Sequence, residues 1–270
     1  MRLHLAFVFL ALVGCKKSEP QATAPRAPDT ATAPAPSPAP ATETAPAPPA
    51  ETPSDLPPSA NPGINDRYET AEGRAASKKV FEGSERGAFQ KPADVIKLMK
   101  LKKGDIVADV GAGTGYMTAA LSRAVGAKGK VFAEDITAGF LDEVRAKVEQ
   151  EKLANVEVIL GTTTDTKLPS GCCDVILVLD TYHHFEWPEP MLASMKSALK
   201  PKGRLIIVEF HRKSNTMFET LKIDYKQHIR LEDHEVVAQI EKLGWKRLEK
   251  REFPPYQYVA VFTPAAEATK

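Results

Sequence analysis

The chain has 270 residues, 43% of them hydrophobic, and balances 36 basic side chains against 35 acidic ones. A net charge of +1, with no basic run interleaved with aromatics, leaves no electrostatic grip for a phosphate backbone, so nucleic acid is not an expected partner. Two of the three cysteines are neighbours, Cys172 and Cys173, which form no unstrained disulfide and have no His or Cys nearby at zinc-ligand spacing.

At the start of the chain, Arg2 and His4 precede nine apolar residues, Leu5 to Val13, then Gly14 and Cys15. That is the layout of a secretory signal, and nine residues fall short of the about 20 that span a bilayer as a helix. Leu12-Val13-Gly14-Cys15 resembles a bacterial lipobox. The resemblance implies cleavage before Cys15, acylation of that cysteine and a membrane-anchored lipoprotein outside the cytoplasm. Lys16 after the cysteine favours sorting to the outer membrane in a two-membrane bacterium. Between Lys16 and Pro62 lie 14 of the 22 prolines, mixed with Ala, Thr and Glu, a composition too poor in apolar side chains to offset its ordering entropy. We expect residues 1–15 to be a signal peptide, 16–63 a disordered tether, 64–264 one folded domain and 265–270 a disordered tail.

Within the domain, "KPADVIKLMKL" predicts a helix starting near Pro92. Strand-like runs follow at 105–110, 130–136, 156–160, 174–180 and 204–210, alternating with helical stretches at 116–125, 137–152 and 188–199. Lys200-Pro201-Lys202-Gly203 reads as a stop signal for the last of these helices. The strand runs are apolar at nearly every position, which implies strands covered on both faces and hence a parallel sheet with crossover helices. Val236, Val237, Ile240 and Leu243 lie on one face of a further helix that Gly244 ends. "WKRLEKREF" and "YQYVAVF", separated by Pro254-Pro255, then predict a closing antiparallel hairpin. The expected fold is doubly wound α/β, a Rossmann-like sheet of about seven strands.

The first strand runs into Gly111-Ala112-Gly113-Thr114-Gly115, where glycines let the backbone turn sharply and let a ligand approach the main chain. The dinucleotide fingerprint would need glycine where Tyr116 stands, which disfavours an NAD-dependent oxidoreductase. With acidic residues at two consecutive strand ends and the L-K-P-x-G turn, the chain from Glu85 to Phe262 resembles the class I S-adenosylmethionine-dependent methyltransferases. The resemblance implies S-adenosylmethionine as cofactor. Gly111, Gly113 and Gly115 would pass under its methionine part, and Asp109 would help to hold its amino group. Asp135 would accept from both ribose hydroxyls, with Glu134 as the alternative one register away. Asp165 or Thr162 would receive the exocyclic amine of adenine.

Beyond the fourth strand, Asp180, Tyr182, His183 and His184 are the catalytic candidates, because methyl transfer needs alignment, exclusion of water and in some cases a base. Asp180, His183, His184, Glu209 and His211 form no carboxylate-rich ligand pattern, so no metal is expected. "FPPY" at Phe253 to Tyr256 reads as a turn. The expected function is methylation of a small or lipophilic, lipid-like acceptor. A module of the same fold that binds cofactor without turnover is the alternative.

Overall fold

The computed structural model describes residues 56–266. The signal segment with Cys15, residues 16–55 of the expected tether and residues 267–270 of the expected tail lie outside the described residues. Three helices open the fold, α1 (Ala71–Phe81), α2 (Ser84–Gln90) and α3 (Pro92–Met99). An alternating run follows: β1 (Ile106–Val110), α4 (Thr118–Val125), β2 (Lys130–Asp135), α5 (Ala138–Gln150), β3 (Val156–Leu160), β4 (Cys173–Leu179), α6 (Pro188–Ala198) and β5 (Leu199–Phe210). Two short helices, α7 (Thr216–Leu221) and α8 (Tyr225–His228), lead to α9 (Asp233–Lys242) and the hairpin β6 (Trp245–Phe253) and β7 (Gln257–Pro264).

The seven strands form one sheet in the order β3-β2-β1-β4-β5-β7-β6. β1 to β5 pair in parallel, and β7 enters antiparallel between β5 and β6. Alternate residues of the central strands feed two apolar layers. Ala108, Ile176, Val178, Leu205 and Ile207 pack against Met191, Leu192 and Met195 of α6 and Val236, Val237 and Ile240 of α9. Val107, Val175, Leu177, Ile206 and Val208 pack against Val95, Leu98 and Met99 of α3 and Leu121 and Val125 of α4. Each fully buried Val, Leu, Ile or Met among them stabilises the fold by about 1.5–3 kcal/mol, which is why the strands carry apolar residues without alternation. Pro92 and Pro188 occupy first-turn positions of α3 and α6, and Glu232 with Glu235 closes a capping box on α9.

α6 ends at Ala198, as the stop at Lys200–Gly203 predicts, and the stop residues themselves open β5. Leu199 pairs with Cys173, and the register shifts before Val175. A Cβ on Gly203 would lie 3.0 Å from the Cys173 carbonyl oxygen, so glycine lets β5 run tight against β4 there. Cys172 and Cys173 are free thiols. No helix among the described residues is long and apolar enough to cross a membrane.

The strand order reverses between β1 and β4, and the crevice at their carboxyl ends is where open α/β sheets place ligands.

Candidate active site

A cavity of about 340 Å³ opens at that crevice. Gly111 and Gly113 form part of its floor, Asp135 and Thr137 close one side, and Asp180, Thr181, His183 and His184 close another. Gly111 has φ +74°, and a Cβ there would lie 2.1 Å from Thr181 Cγ2, so both conformation and space demand glycine. Gly113, at φ +55°, donates its N–H to Asp135 Oδ2 at 2.8 Å. Lys147 of α5 binds the carbonyls of Thr114 and Gly115 and braces the loop from behind. Gly115 lies under the loop, where a Cβ would meet Thr118 and Val144, and it does not line the cavity.

Three carboxylates crowd the loop. Asp135 accepts from Gly113 N and Thr137 N, and burial still pushes its pKa up. Asp109 is buried at the end of β1, behind the cavity wall, where desolvation raises its pKa to about 7 against the pull of Arg86. Glu134 is pushed well above the usual range by burial and by Asp135, and its Oε1 lacks a hydrogen-bond partner in the described structure. That oxygen is directed at Gly161, where a Cβ would lie 1.8 Å away.

S-adenosylmethionine suits this end of the cavity. A site dense in buried carboxylates favours a cationic ligand, and each Asp135 oxygen keeps a lone pair for a ribose hydroxyl after taking its backbone N–H. A Cβ on Gly113 would project toward the Phe81 ring at 3.6 Å, into space a ligand can use.

The structure separates the other candidates. Thr162 lines the cavity with Thr163, whereas Asp165 does not. Asp165 accepts from Ser194 Oγ at 2.9 Å and Lys167 Nζ at 2.7 Å, partners that turn it away and hold its pKa low, Lys167 chiefly. Tyr182 is 1% exposed, donates its hydroxyl to Gln239 at 2.7 Å and does not line the cavity, so its place is in the packing. Asp180 lines the cavity at φ +53°, held by Gln257 and, at 3.4 Å, by Arg86. Burial raises its pKa to about 7 against that Arg86 contact.

His183 and His184 face the cavity together with His228 of α8. His183 Nδ1 pairs with Glu209 Oε2 at 2.9 Å, and His184 Nδ1 with Asn65 Oδ1 at 3.0 Å. Burial, followed by the neighbouring histidine charges, holds His184 well below its ordinary pKa and takes His228 down to about 3. The loop carrying His183 and His184 is tied to the amino-terminal side of the domain. Asn61 and Asn65 donate to the His183 and His184 carbonyls, Ala60 N bonds to Glu186 O, and Trp187 Nε1 donates to Pro57 O.

Sequence reasoning missed Arg86, His228 and the apolar wall. Arg86 lies over the Tyr116 ring at 4.2 Å and pairs with Asp180. Phe185, Met191, Phe210, Met217, Phe218 and Ile223 line the chamber next to the histidines. Only the position of Arg86 at the edge of the resembling region gave any signal; α7 and α8 are too short for periodicity to reveal.

Residues 107–203 match a family described as a methyltransferase domain. The chain is 32% identical over 124 residues to the ubiquinone/menaquinone biosynthesis C-methyltransferase UbiE of Stutzerimonas stutzeri, covering 46% of this chain and 48% of that protein. It is 28% identical over 162 residues to a demethylmenaquinone methyltransferase of a Geobacillus species, covering 60% of this chain and 69% of that one. The chain spans about half the length of the first curated relatives it matches. A SAM-dependent methyltransferase structure from Aquifex aeolicus superposes with a TM-score of 0.64 at 28% identity, covering 70% of this chain and 97% of that one. Glycine loop, sheet order and relatives agree on the fold: the described domain has the Rossmann-like fold of S-adenosylmethionine-dependent methyltransferases, and residues 107–203 match a methyltransferase domain.

Proposed function

We propose that the protein transfers a methyl group from S-adenosylmethionine to a small, lipophilic, aromatic acceptor of the quinol class. The observation that carries this reading is the two-ended cavity: glycine loop and Asp135 at one end, an aromatic chamber at the other, histidines between. The named activities of the relatives, C-methylation in quinone biosynthesis, support the same acceptor class.

The cofactor supplies an electrophilic methyl group on a sulfonium, and the chain aligns the partners and keeps water out. Asp135 would hold the ribose diol and Thr162 would approach the adenine edge. Phe210 and Phe218, packed on each other with ring centroids 5.2 Å apart, would present a joint apolar face to the acceptor ring. With Nδ1 donating to Glu209 and Asn65, neutral His183 and His184 rings would present Nε2 lone pairs to the acceptor. Those lone pairs would receive a hydrogen bond or a proton from the acceptor.

Calorimetric titration with S-adenosylmethionine and S-adenosylhomocysteine, followed by mass spectrometry of soluble quinol analogues incubated with protein and cofactor, tests the reading. Binding with the gain of one methyl group on the analogue supports it. Binding without turnover on any phenol or quinol would favour a module that only holds the cofactor, and absence of binding would overturn both.

We further propose that Cys15 carries a lipid anchor that places the domain outside the cytoplasm, on the strength of the Leu12–Cys15 pattern. Cys15→Ser should move the full chain from the membrane fraction to a soluble or unprocessed form. A wild-type chain recovered from the cytosol with Met1 intact would refute the anchor.

A further inference from the structure

One ring nitrogen of each of His183, His184 and His228 lies within 4.8 Å of those of the other two. The rings have centroids 4.3, 4.6 and 5.5 Å apart, and all three line the cavity. Such a cluster concentrates lone pairs where the proposed acceptor would sit.

The hydrogen bonds around the cluster fix which nitrogens are free. Glu209 accepts from the His183 backbone N–H at Oε2 and from the Phe210 N–H at Oε1, so both its oxygens act as acceptors. His183 Nδ1 therefore donates to Glu209, and a metal-binding neutral ring would carry its lone pair at Nε2. Asn65 commits its amide nitrogen to His184 O and Glu186 Oε1, which leaves its oxygen facing His184. His184 Nδ1 must then donate as well, and its lone pair is again at Nε2. A carboxylate or amide oxygen bonded to one ring nitrogen, with the other nitrogen left to bind, is the arrangement that orients imidazole ligands on metal ions.

We propose that His183, His184 and His228 form a binding site for one divalent zinc-class cation, with an open coordination position facing the cavity. Three neutral imidazoles with a free fourth position suit zinc. Ligand nitrogens of a tetrahedral zinc lie about 3.3 Å apart, so the cluster closes onto the ion by a modest inward shift of its rings. The site holds the ion whether or not the domain transfers methyl groups. If the methyltransferase reading also holds, the open position would bind the quinol oxygen, and the histidine lone pairs would then hold a cation instead of taking a proton.

A second group, His211, Asp233 and Glu252, shows what a closed cluster looks like. There His211 Nε2 is engaged by Glu252 at 2.8 Å and Asp233 Oδ2 by Lys250 at 2.5 Å, so the potential ligands are already bound to protein partners.

The test uses untagged protein stripped with chelator and then titrated with zinc or cobalt(II). Wild type should take up one zinc per chain by elemental analysis, and cobalt should give the visible absorption of a four-coordinate nitrogen site. His228→Ala and His184→Gln, each checked for an unchanged circular dichroism spectrum, should lose at least about 100-fold in zinc affinity. Glu209→Gln should lose about 10- to 100-fold while keeping the stoichiometry. His234→Ala, at a side chain 76% exposed, should bind as wild type does. Absence of stoichiometric uptake, or uptake unchanged in both ligand variants, overturns the proposal. Titration with S-adenosylmethionine on the same samples keeps the two readings apart: zinc uptake without cofactor binding would sink the methyltransferase reading alone, and the reverse would sink the metal site alone.

Discussion

Asp135→Asn separates what a buried carboxylate does for a ligand from what it does for the fold. Its two oxygens each accept a backbone N–H at 2.8 Å, from Gly113 and from Thr137. Asparagine retains one acceptor oxygen and presents NH₂ in place of the other, so in either orientation one backbone N–H faces a donor. A hydrogen bond to a charged group contributes about 1.5–3 kcal/mol, and that is the gross loss. Burial works in the opposite direction, because the raised pKa of Asp135 means that its charge is itself disfavoured in the cofactor-free site. Neutralising it offsets part of the lost bond, and the cofactor-free fold should change by less than about 1 kcal/mol. Cofactor binding has no such offset, since the ribose diol loses an anionic acceptor. Affinity should fall by about 1.5–3 kcal/mol, or about 10- to 150-fold. Calorimetric titration with S-adenosylmethionine, paired with thermal melts of the cofactor-free protein, measures the two quantities. Undiminished affinity in a folded variant, or a loss of stability as large as the loss of affinity, would refute the assignment.

Gly111→Ala should cost more than about 1 kcal/mol of stability in denaturant melts, because φ is +74° and the new Cβ meets Thr181; an unchanged midpoint would mean that the loop rearranges freely. Asp109 keeps its proton up to about pH 7 in the folded state, whereas the unfolded chain releases it near 3.8, so its burial costs stability increasingly as pH rises through that window. Asp109→Asn should therefore gain stability relative to wild type between about pH 4 and pH 7, with a constant difference above; a difference independent of pH would contradict the burial argument. Tyr182→Phe should lose about 0.5–1.5 kcal/mol through its bond to Gln239 and leave turnover on any accepted substrate within about twofold; a collapse of turnover in a stable protein would return Tyr182 to the catalytic set.

The parallel core was legible because strands buried on both faces advertise themselves as unbroken apolar runs, and the glycine loop because its turn tolerates little else. The same two-sided burial removes the alternation that would set register, so the sequence left Glu134 and Asp135 open. In the structure Glu134 is directed at Gly161 and Asp135 at Gly113. Asp165 looked like the stronger acceptor in its loop, but Ser194 on α6, distant in sequence, draws it aside and leaves Thr162 at the cavity. Tyr182 sat beside two histidines in the chain yet faces Gln239 of α9. His228 joined the site from a helix of four residues, too brief for any local pattern to announce.

The bonds from Pro57, Ala60, Asn61 and Asn65 to the histidine loop bear on how the protein can be divided. The matched family region begins at residue 107, and a fragment cut there would keep the sheet's central strands and the glycine loop. It would also release the His183 and His184 carbonyls, the Glu186 side chain and the indole of Trp187 from their partners at once. The smallest transplantable piece of this protein therefore starts before Pro57. Chimeras joined downstream of Asn65 would inherit the cofactor cradle while losing the brace that sets the direction of the imidazoles.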